Sequence, residues 1–130
     1  MLRARVGKNP SGAFGYSFLF DTDNLFGSGN DPNYIAGNPG FELEVRFGTG
    51  SGVFIDNVDG SSGTVSNLAT YTLATNSQRS AALDNDSDCT KNSPTFIDFF
   101  VELSVMEAAG FDKNSYRVAS ATTASPNSAL

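Results

Sequence analysis

The sequence predicts an all-β protein, an antiparallel β-sandwich of the immunoglobulin or jelly-roll kind with about seven to nine strands and one short helix. First, residues 40–47 alternate between apolar and charged side chains, which is the period of a strand with one buried face. Second, the apolar runs are short and separated by clusters of Gly, Asn, Asp and Ser, which favour turns. Third, residues 96–101 carry apolar side chains on both faces, as central sandwich strands do. The 130 residues are expected to form a single domain, 1–130.

Two of the strand runs, 16–21 and 40–47, are expected to form an antiparallel pair. In the first run aromatic side chains share one face, and the run then ends abruptly in acidic residues. In the second run the alternation places Glu42 and Glu44 on the solvent-facing side. The connecting loop, 21–39, is too long for a tight hairpin, and loops of this size inside compact domains are often functional. This loop is therefore the first candidate for a site.

The other strands are predicted from their position between turns. Residues 48–52 hold glycines that supply the positive φ of a hairpin loop. Residues 69–73 and 79–83 are rich in Thr and Ser, which favours edge or solvent-facing positions. In chain order, we predict strands at residues 2–6, 16–21, 40–47, 53–58, 69–73, 79–83, 96–101 and 116–122.

One short helix is predicted after the strand at 96–101. Ser104 and Glu107 have the spacing of a capping box, Leu103 and Ala108 occupy the positions of a hydrophobic staple, and Gly110 suits the residue after the helix. A helix this short needs packing against the sheets to be stable.

Composition excludes several classes of function. The sequence has no histidine, so imidazole acid–base chemistry and imidazole metal ligands are ruled out, and we expect a protein that is not an enzyme. A net charge of −6 and a pI of about 4.3 disfavour nucleic acid as a partner and make a cation the more natural one. The alternative is that acidity serves only solubility. Cys89 is the single cysteine, so no internal disulfide forms, and its role stays open.

The sequence has no apolar run approaching the roughly 18 residues of a membrane span, and its start lacks a secretory hydrophobic region. Residues 2–6 already have the pattern of a strand in progress, and the chain stops without a cap. We therefore expect a fragment of a larger protein, with no membrane insertion.

The first acidic loop is a candidate calcium site. Asp21, Asp23 and Asn24 bring three oxygen-bearing side chains within four residues, Asp31 lies farther along the same loop, and Glu42 begins the partner strand. Calcium takes six to eight oxygen ligands at roughly 2.3–2.6 Å and tolerates irregular geometry. The alternative is a solvated turn in which Asp and Asn accept hydrogen bonds from their own backbone.

A second, weaker cluster repeats the alternate-carboxylate spacing of a calcium loop at Asp84, Asp86 and Asp88. Cys89 then stands where the sharp turn of such a loop needs glycine, and no acid follows at the closing position. A solvated acidic turn is the alternative here.

Aromatic side chains suggest a second kind of site, since sugar-binding modules stack an exposed ring on the sugar. Tyr34, Phe54, Tyr71 and Phe100 are the candidates, although most phenylalanines alternate in phase with a core. Glycoside hydrolysis would need two carboxyl groups facing each other across a cleft. The acids here lie in loops or on outer strand faces, where a raised pKa is not expected.

The motifs at residues 20–24, 40–45, 52–55 and 96–101, with the short helix, resemble the DOMON-like β-sandwiches, which are related to family-nine carbohydrate-binding modules. The resemblance covers roughly residues 13–122. It implies an extracellular ligand-binding sandwich of a bacterial surface or secreted protein, with structural calcium and with sugar or haem as ligand in some members. By the same likeness Asp21 and Asp23 are the matching acidic positions, with Glu42 their partner. The sequence lacks the tryptophans of the sugar-binding members and any histidine for haem.

The resulting hypothesis is a non-catalytic extracellular module that binds a glycan or another surface ligand, or acts in adhesion, and is stabilised by calcium. The rival hypothesis is a structural or assembly domain. Its opening strand would leave an exposed edge, through which neighbouring copies associate as a homo-oligomer by strand addition.

Overall fold

The computed structural model describes residues 1–6, 14–31, 34–59, 65–81, 94–123 and 130. In this part of the chain there are eight strands and two short helices. The predicted turn at 7–12, most of the turn at 59–63 and the second acidic cluster, Asp84, Asp86 and Asp88, lie outside the described residues. The strands are β1 (Leu2–Val6), β2 (Gly15–Asp21), β3 (Leu43–Gly48), β4 (Gly52–Asn57), β5 (Ser66–Tyr71), β6 (Ser77–Ala81), β7 (Thr95–Phe99) and β8 (Arg117–Thr123), and the helices are α1 (Leu73–Asn76) and α2 (Leu103–Ala108).

The strands form two antiparallel sheets, which confirms the predicted all-β sandwich-like fold. The larger sheet has the order β5-β4-β3-β2-β8, and the smaller has the order β1-β7-β6. The predicted pair β2 and β3 forms in register, with Phe18 opposite Val45 and Phe20 opposite Leu43. The β3–β4 hairpin turns through Gly50 and Gly52, both at positive φ. The predicted edge position holds for β5 and β6, each at the end of its sheet.

The core lies between the two sheets. Phe47 of β3 and Phe99 of β7 are fully buried, and their ring centroids are 5.8 Å apart. Ile97 is also fully buried, as expected for the central strand of the smaller sheet. For Phe47, the apolar face predicted from the alternation of residues 40–47 is the face that packs, and the doubly apolar run 96–101 turns Ile97 and Phe99 toward the same core.

The outer face of the larger sheet differs from the prediction. Glu42 and Glu44 were expected to face solvent, yet Glu42 is 9% exposed and Glu44 is fully buried. The Ser17 hydroxyl donates a hydrogen bond to Glu44, and Arg46 forms a 3.0 Å ion pair with the buried Asp56. The alternation thus assigns these side chains to the correct face, but that face is a buried polar layer.

The helices differ from the prediction in two ways. The helix α2 forms, and Gly110 follows it at positive φ as expected. The predicted capping box is wrong, because the helix already begins at Leu103 and its N-cap, Glu102, makes no side-chain capping bond. The four-residue helix α1 between β5 and β6 was not predicted. Neither helix in the described part of the chain is long or apolar enough to cross a membrane.

Within the described residues, the core side of the larger sheet is only partly covered near β8. Tyr16 pairs with Thr122, Phe18 with Ser120 and Phe20 with Val118, so these β8 side chains point toward the core side of the larger sheet. Val118 is nevertheless 50% exposed. A groove of about 390 Å³ lies between β1 and β8 and is lined by both strands and by β2.

Candidate metal site

The first acidic loop is shaped by its own carboxylates. Asp21 is the last residue of β2, and its Oδ1 accepts a 2.6 Å hydrogen bond from the backbone N–H of Asn24. Asp23 Oδ1 accepts a 2.7 Å bond from the N–H of Leu25. Asn24 takes the left-handed conformation, φ 63°, that Asn tolerates better than most residues. The Asp–Asn turn considered as the alternative to a metal site is therefore present, and it occupies one oxygen of each aspartate.

Glu42 is held against this loop from the neighbouring strand. Its backbone N–H donates to the carbonyl oxygen of Phe20, and its own carbonyl accepts from the N–H of Val58. Its side-chain Oε2 accepts hydrogen bonds from Thr22, at 2.7 Å from the backbone nitrogen and 3.2 Å from the hydroxyl. The backbone hydrogen bonds to Phe20 and Val58 and the side-chain hydrogen bonds from Thr22 together fix the position of the Glu42 carboxylate.

These contacts bring three carboxylates together. Asp21, Asp23 and Glu42 each present one oxygen, and these oxygens lie within 4.8 Å of one another. Asp21 is fully buried, Glu42 is nine-tenths buried, and Asp23 is exposed. Among the described residues, Asp21 Oδ2 and Glu42 Oε1 have no hydrogen-bond partner. Buried polar atoms are normally satisfied, so two such oxygens beside a third carboxylate form a group that could hold a metal ion.

The electrostatics of the cluster point the same way. Burial, with the neighbouring Asp23 and Asp21 charges, raises the pKa of Glu42 from its ordinary value to about 7. Burial also raises the pKa of Asp21, against the opposing effects of the Asn24 hydrogen bond and the Arg117 charge. Like charges held close together favour protonation or a counter-ion. A metal ion held by the three carboxylates is one such counter-ion.

The other two predicted ligands lie beside the cluster. Asn24 turns its side-chain amide to Ser115, whose hydroxyl oxygen accepts a 2.8 Å bond from Nδ2. Asp31 is 6% exposed and packs against Gly40, where a side chain would collide with its carboxylate. Asp31 is close enough to Asp21 to raise its pKa, although it is not one of the three carboxylates whose oxygens converge.

Two residues of the site were missed in the sequence. Arg117 of β8 places Nη1 3.5 Å from Asp21 Oδ2, because Arg117 and Asp21 are cross-strand partners. Asn38 is 3% exposed and binds the backbone of the long loop. The Asn-Pro-Gly sequence at 38–40 is a turn signal that could have drawn attention to Asn38. No comparable signal marks Arg117.

The candidate sugar-stacking residues are not assembled into one surface. Phe54 and Tyr71 project to opposite faces of the larger sheet, since Tyr71 pairs with Val53, the residue next to Phe54. The Arg46 guanidinium covers the Phe54 ring at 4.1 Å, and Tyr71 packs against the core. Tyr34 is 40% exposed in the long loop. Phe100 is half-buried beyond the end of β7, where its backbone pairs with Asn76.

The structure therefore presents one cluster suited to a metal ion, at the end of β2 and the start of β3, within the part of the chain that it describes. The resemblance to DOMON-like sandwiches stays a prediction. No protein-family model matches the sequence, no curated protein matches it, and no solved structure matches its fold.

Proposed function

We propose that the chain is a non-catalytic extracellular module that binds a surface ligand such as a glycan, or acts in adhesion, and that calcium at Asp21, Asp23 and Glu42 fixes its ligand-facing rim. The observation that carries this proposal is the convergence of one carboxylate oxygen each from Asp21, Asp23 and Glu42. Two of these carboxylates also hold a buried oxygen, Asp21 Oδ2 and Glu42 Oε1, without a hydrogen-bond partner among the described residues. An ion bound there would satisfy both oxygens and offset the mutual repulsion of the three carboxylates.

Calcium is favoured over magnesium by the character of the site. The carboxylates come from the end of β2, the loop after it and the segment before β3, and the loop member Asp23 is exposed, which leaves room for water and for loop carbonyls. Calcium accepts such irregular oxygen shells, whereas magnesium demands a near-octahedral one. Extracellular calcium modules typically bind with Kd values of about 0.1–1 mM, and we expect an affinity in that range.

The ligand-binding part of the proposal concerns the loop next to the ion. Four apolar side chains of this loop are each about 40% exposed: Leu25, Phe26, Tyr34 and Ile35. Clustered exposed apolar side chains on loops are common at ligand-binding surfaces. A glycan array, with and without calcium, tests whether this surface takes a carbohydrate.

Isothermal titration calorimetry tests the metal claim. Protein stripped with EGTA is titrated with CaCl₂ and, separately, with MgCl₂. The site variant is Asp23→Asn. The control is Glu102→Gln, which removes one exposed carboxylate at the start of α2. We expect calcium to bind, magnesium to bind at least tenfold more weakly, Asp23→Asn to lose at least tenfold in calcium affinity, and Glu102→Gln to match wild type. Absence of heat with calcium, together with an unchanged melting temperature, would remove the metal from the account.

A second candidate function, assembly through a strand edge, is favoured by a different observation. Native proteins protect exposed edges with charge, proline or a bulge. The edge strand β1 carries Arg3 and Arg5, β6 carries Arg79, and the β4–β5 pairing contains a register shift. The edge strand β8 is uncharged from residue 118 to 123 and pairs regularly with β2.

The expected occupant of this edge is a second copy of the chain. Two β8 strands that pair antiparallel bring no like charges into opposition at their centres, whereas two β1 strands would bring arginines together. Sedimentation velocity over a range of concentrations tests this candidate. Ser120→Lys should abolish any dimer, and Thr70→Lys on the β5 edge should not. A wild-type protein that is monomeric at every concentration would eliminate this candidate.

A further inference from the structure

The buried Asp21 carboxylate lies next to a positive charge that belongs to the chain itself. Arg117 Nη1 is 3.5 Å from Asp21 Oδ2, the oxygen that has no hydrogen-bond partner. The two side chains differ sharply in exposure, since that of Asp21 is 0% exposed and that of Arg117 is 57% exposed. The arginine can therefore turn into water without moving β8, while the aspartate is confined to the site.

We propose that Arg117 is a built-in competitor of the cation: it neutralises Asp21 when the ion is absent and turns away when a divalent cation binds Oδ2. This inference rests on the proposed cation site. The site itself is supported by more than its acidity, because Glu42, one of the three converging carboxylates, is nine-tenths buried and its Oε1 has no hydrogen-bond partner among the described residues.

The physical basis is electrostatic. A calcium ion on a carboxylate oxygen lies roughly 2.3–2.6 Å from it, so an ion on Oδ2 would stand within a few ångströms of the guanidinium. Two positive charges at that separation repel each other strongly, and the divalent ion becomes the largest charge in the site. The exposed arginine is the member of the pair that solvent can compensate.

If Arg117 competes with the cation, Arg117→Gln should lower the stability of the cation-free protein and raise its affinity for calcium. Without a cation, Arg117→Gln removes the ion pair of a buried carboxylate, so the melting temperature should fall. With a cation, the same substitution removes the competitor, so calcium affinity should rise by about five- to tenfold, the lower end of the usual range of such coupling because the arginine is exposed to solvent. The stability and the calcium affinity of the two proteins belong to one thermodynamic cycle. Because the variant gains more stability from calcium than wild type does, saturating calcium should erase most of the stability difference between them.

The experiment compares wild type, Arg117→Gln and Lys113→Gln by calorimetric titration with CaCl₂ and by thermal melts in EGTA and in excess calcium. Lys113 is an exposed cation near β8 and controls for the general effect of one positive charge removed. We expect the affinity to rise more in Arg117→Gln than in Lys113→Gln, and the variant to be less stable than wild type only in EGTA.

Three results would overturn the inference in distinguishable ways. If calcium binds wild type and Arg117→Gln equally, or binds the variant more weakly, Arg117 does not compete, while the cation site stands. If Arg117→Gln is equally destabilised with and without calcium, the arginine has a structural role only. If neither protein binds calcium, the proposed function fails, and the competition fails with it.

Discussion

Asn38 donates a 2.7 Å hydrogen bond from Nδ2 to the carbonyl oxygen of Val58, which ties the long loop between β2 and β3 to the residue after β4. The same amide donates to the carbonyl of Phe41 at 2.8 Å, and its Oδ1 accepts from the N–H groups of Gly40 and Phe41. A side chain 97% buried thus satisfies four backbone groups just before Glu42 enters the site.

The first prediction follows from this anchor. Asn38→Ala removes four hydrogen bonds, each with a net contribution of about 0.5–1.5 kcal/mol, so we expect a loss of roughly 2–6 kcal/mol in the free energy of unfolding. Asn30→Ala is the control, because Asn30 lies in the same loop, is exposed and makes one 3.3 Å bond to a backbone oxygen. Urea denaturation measures both variants. Equal stability of the two would mean that Asn38 does not organise the loop.

The second prediction concerns Gly40, which lies between Asn38 and Glu42 with φ 127°. A Cβ at this position would collide with the Asp31 carboxylate and would lie 2.7 Å from the carbonyl oxygen of Leu25. We expect Gly40→Ala to destabilise the fold by at least about 2 kcal/mol, from backbone strain and the clash together.

Gly50→Ala is the matched control for this clash. Gly50 also has a positive φ, 72°, but a Cβ there would meet nothing within 4 Å. Its substitution should cost only the backbone strain, about 1 kcal/mol. Chemical denaturation of the two variants checks the difference, and an equal cost would show that both Asp31 and the Leu25 carbonyl yield easily to a methyl group.

The third prediction is a pH dependence of the cation-free protein. The pKa of Glu42 is about 7 in the fold, against an ordinary 4.5, so the folded state holds this proton more tightly than the unfolded state does. The resulting stability is fully present below pH 4.5 and is lost as the pH rises through about 7. In EGTA, the melting temperature should therefore fall between pH 5 and 8.

Glu42→Gln tests the cause of that decline, since glutamine has no proton to lose in this range. The variant in EGTA should show a flatter profile and should exceed wild type in stability at pH 8. A decline as steep as that of wild type would assign the pH dependence to other groups.

The strands of the core could be predicted because their signal is local. The alternation that places Phe47 inward is contained within residues 40–47, and the doubly apolar run marks β7 in the same way. Turn residues then separate the runs. The helix α1 escaped prediction because four residues, Leu73–Asn76, are too few to show a helical period.

The site could be predicted only in part, for a physical reason. Asp21 and Asp23 are neighbours in sequence, but their meeting with Glu42 depends on the β2–β3 register, and the contact of Arg117 with Asp21 depends on the pairing of β8. Non-local pairing of this kind leaves no pattern within a short window. Alternation likewise assigned Glu44 to a face without indicating that Ser17 and neighbouring segments bury it.

The most direct test of the account is the thermal melt of wild type and Glu42→Gln at pH 7.5, each in EGTA and in calcium at about one hundred times the measured Kd. Mass action at that concentration stabilises a binding-competent fold by about 2.7 kcal/mol. We predict that calcium raises the melting temperature of wild type by several degrees and leaves that of Glu42→Gln nearly unchanged. An equal rise in both proteins, or no rise in wild type, would contradict a cation held by Glu42 with Asp21 and Asp23.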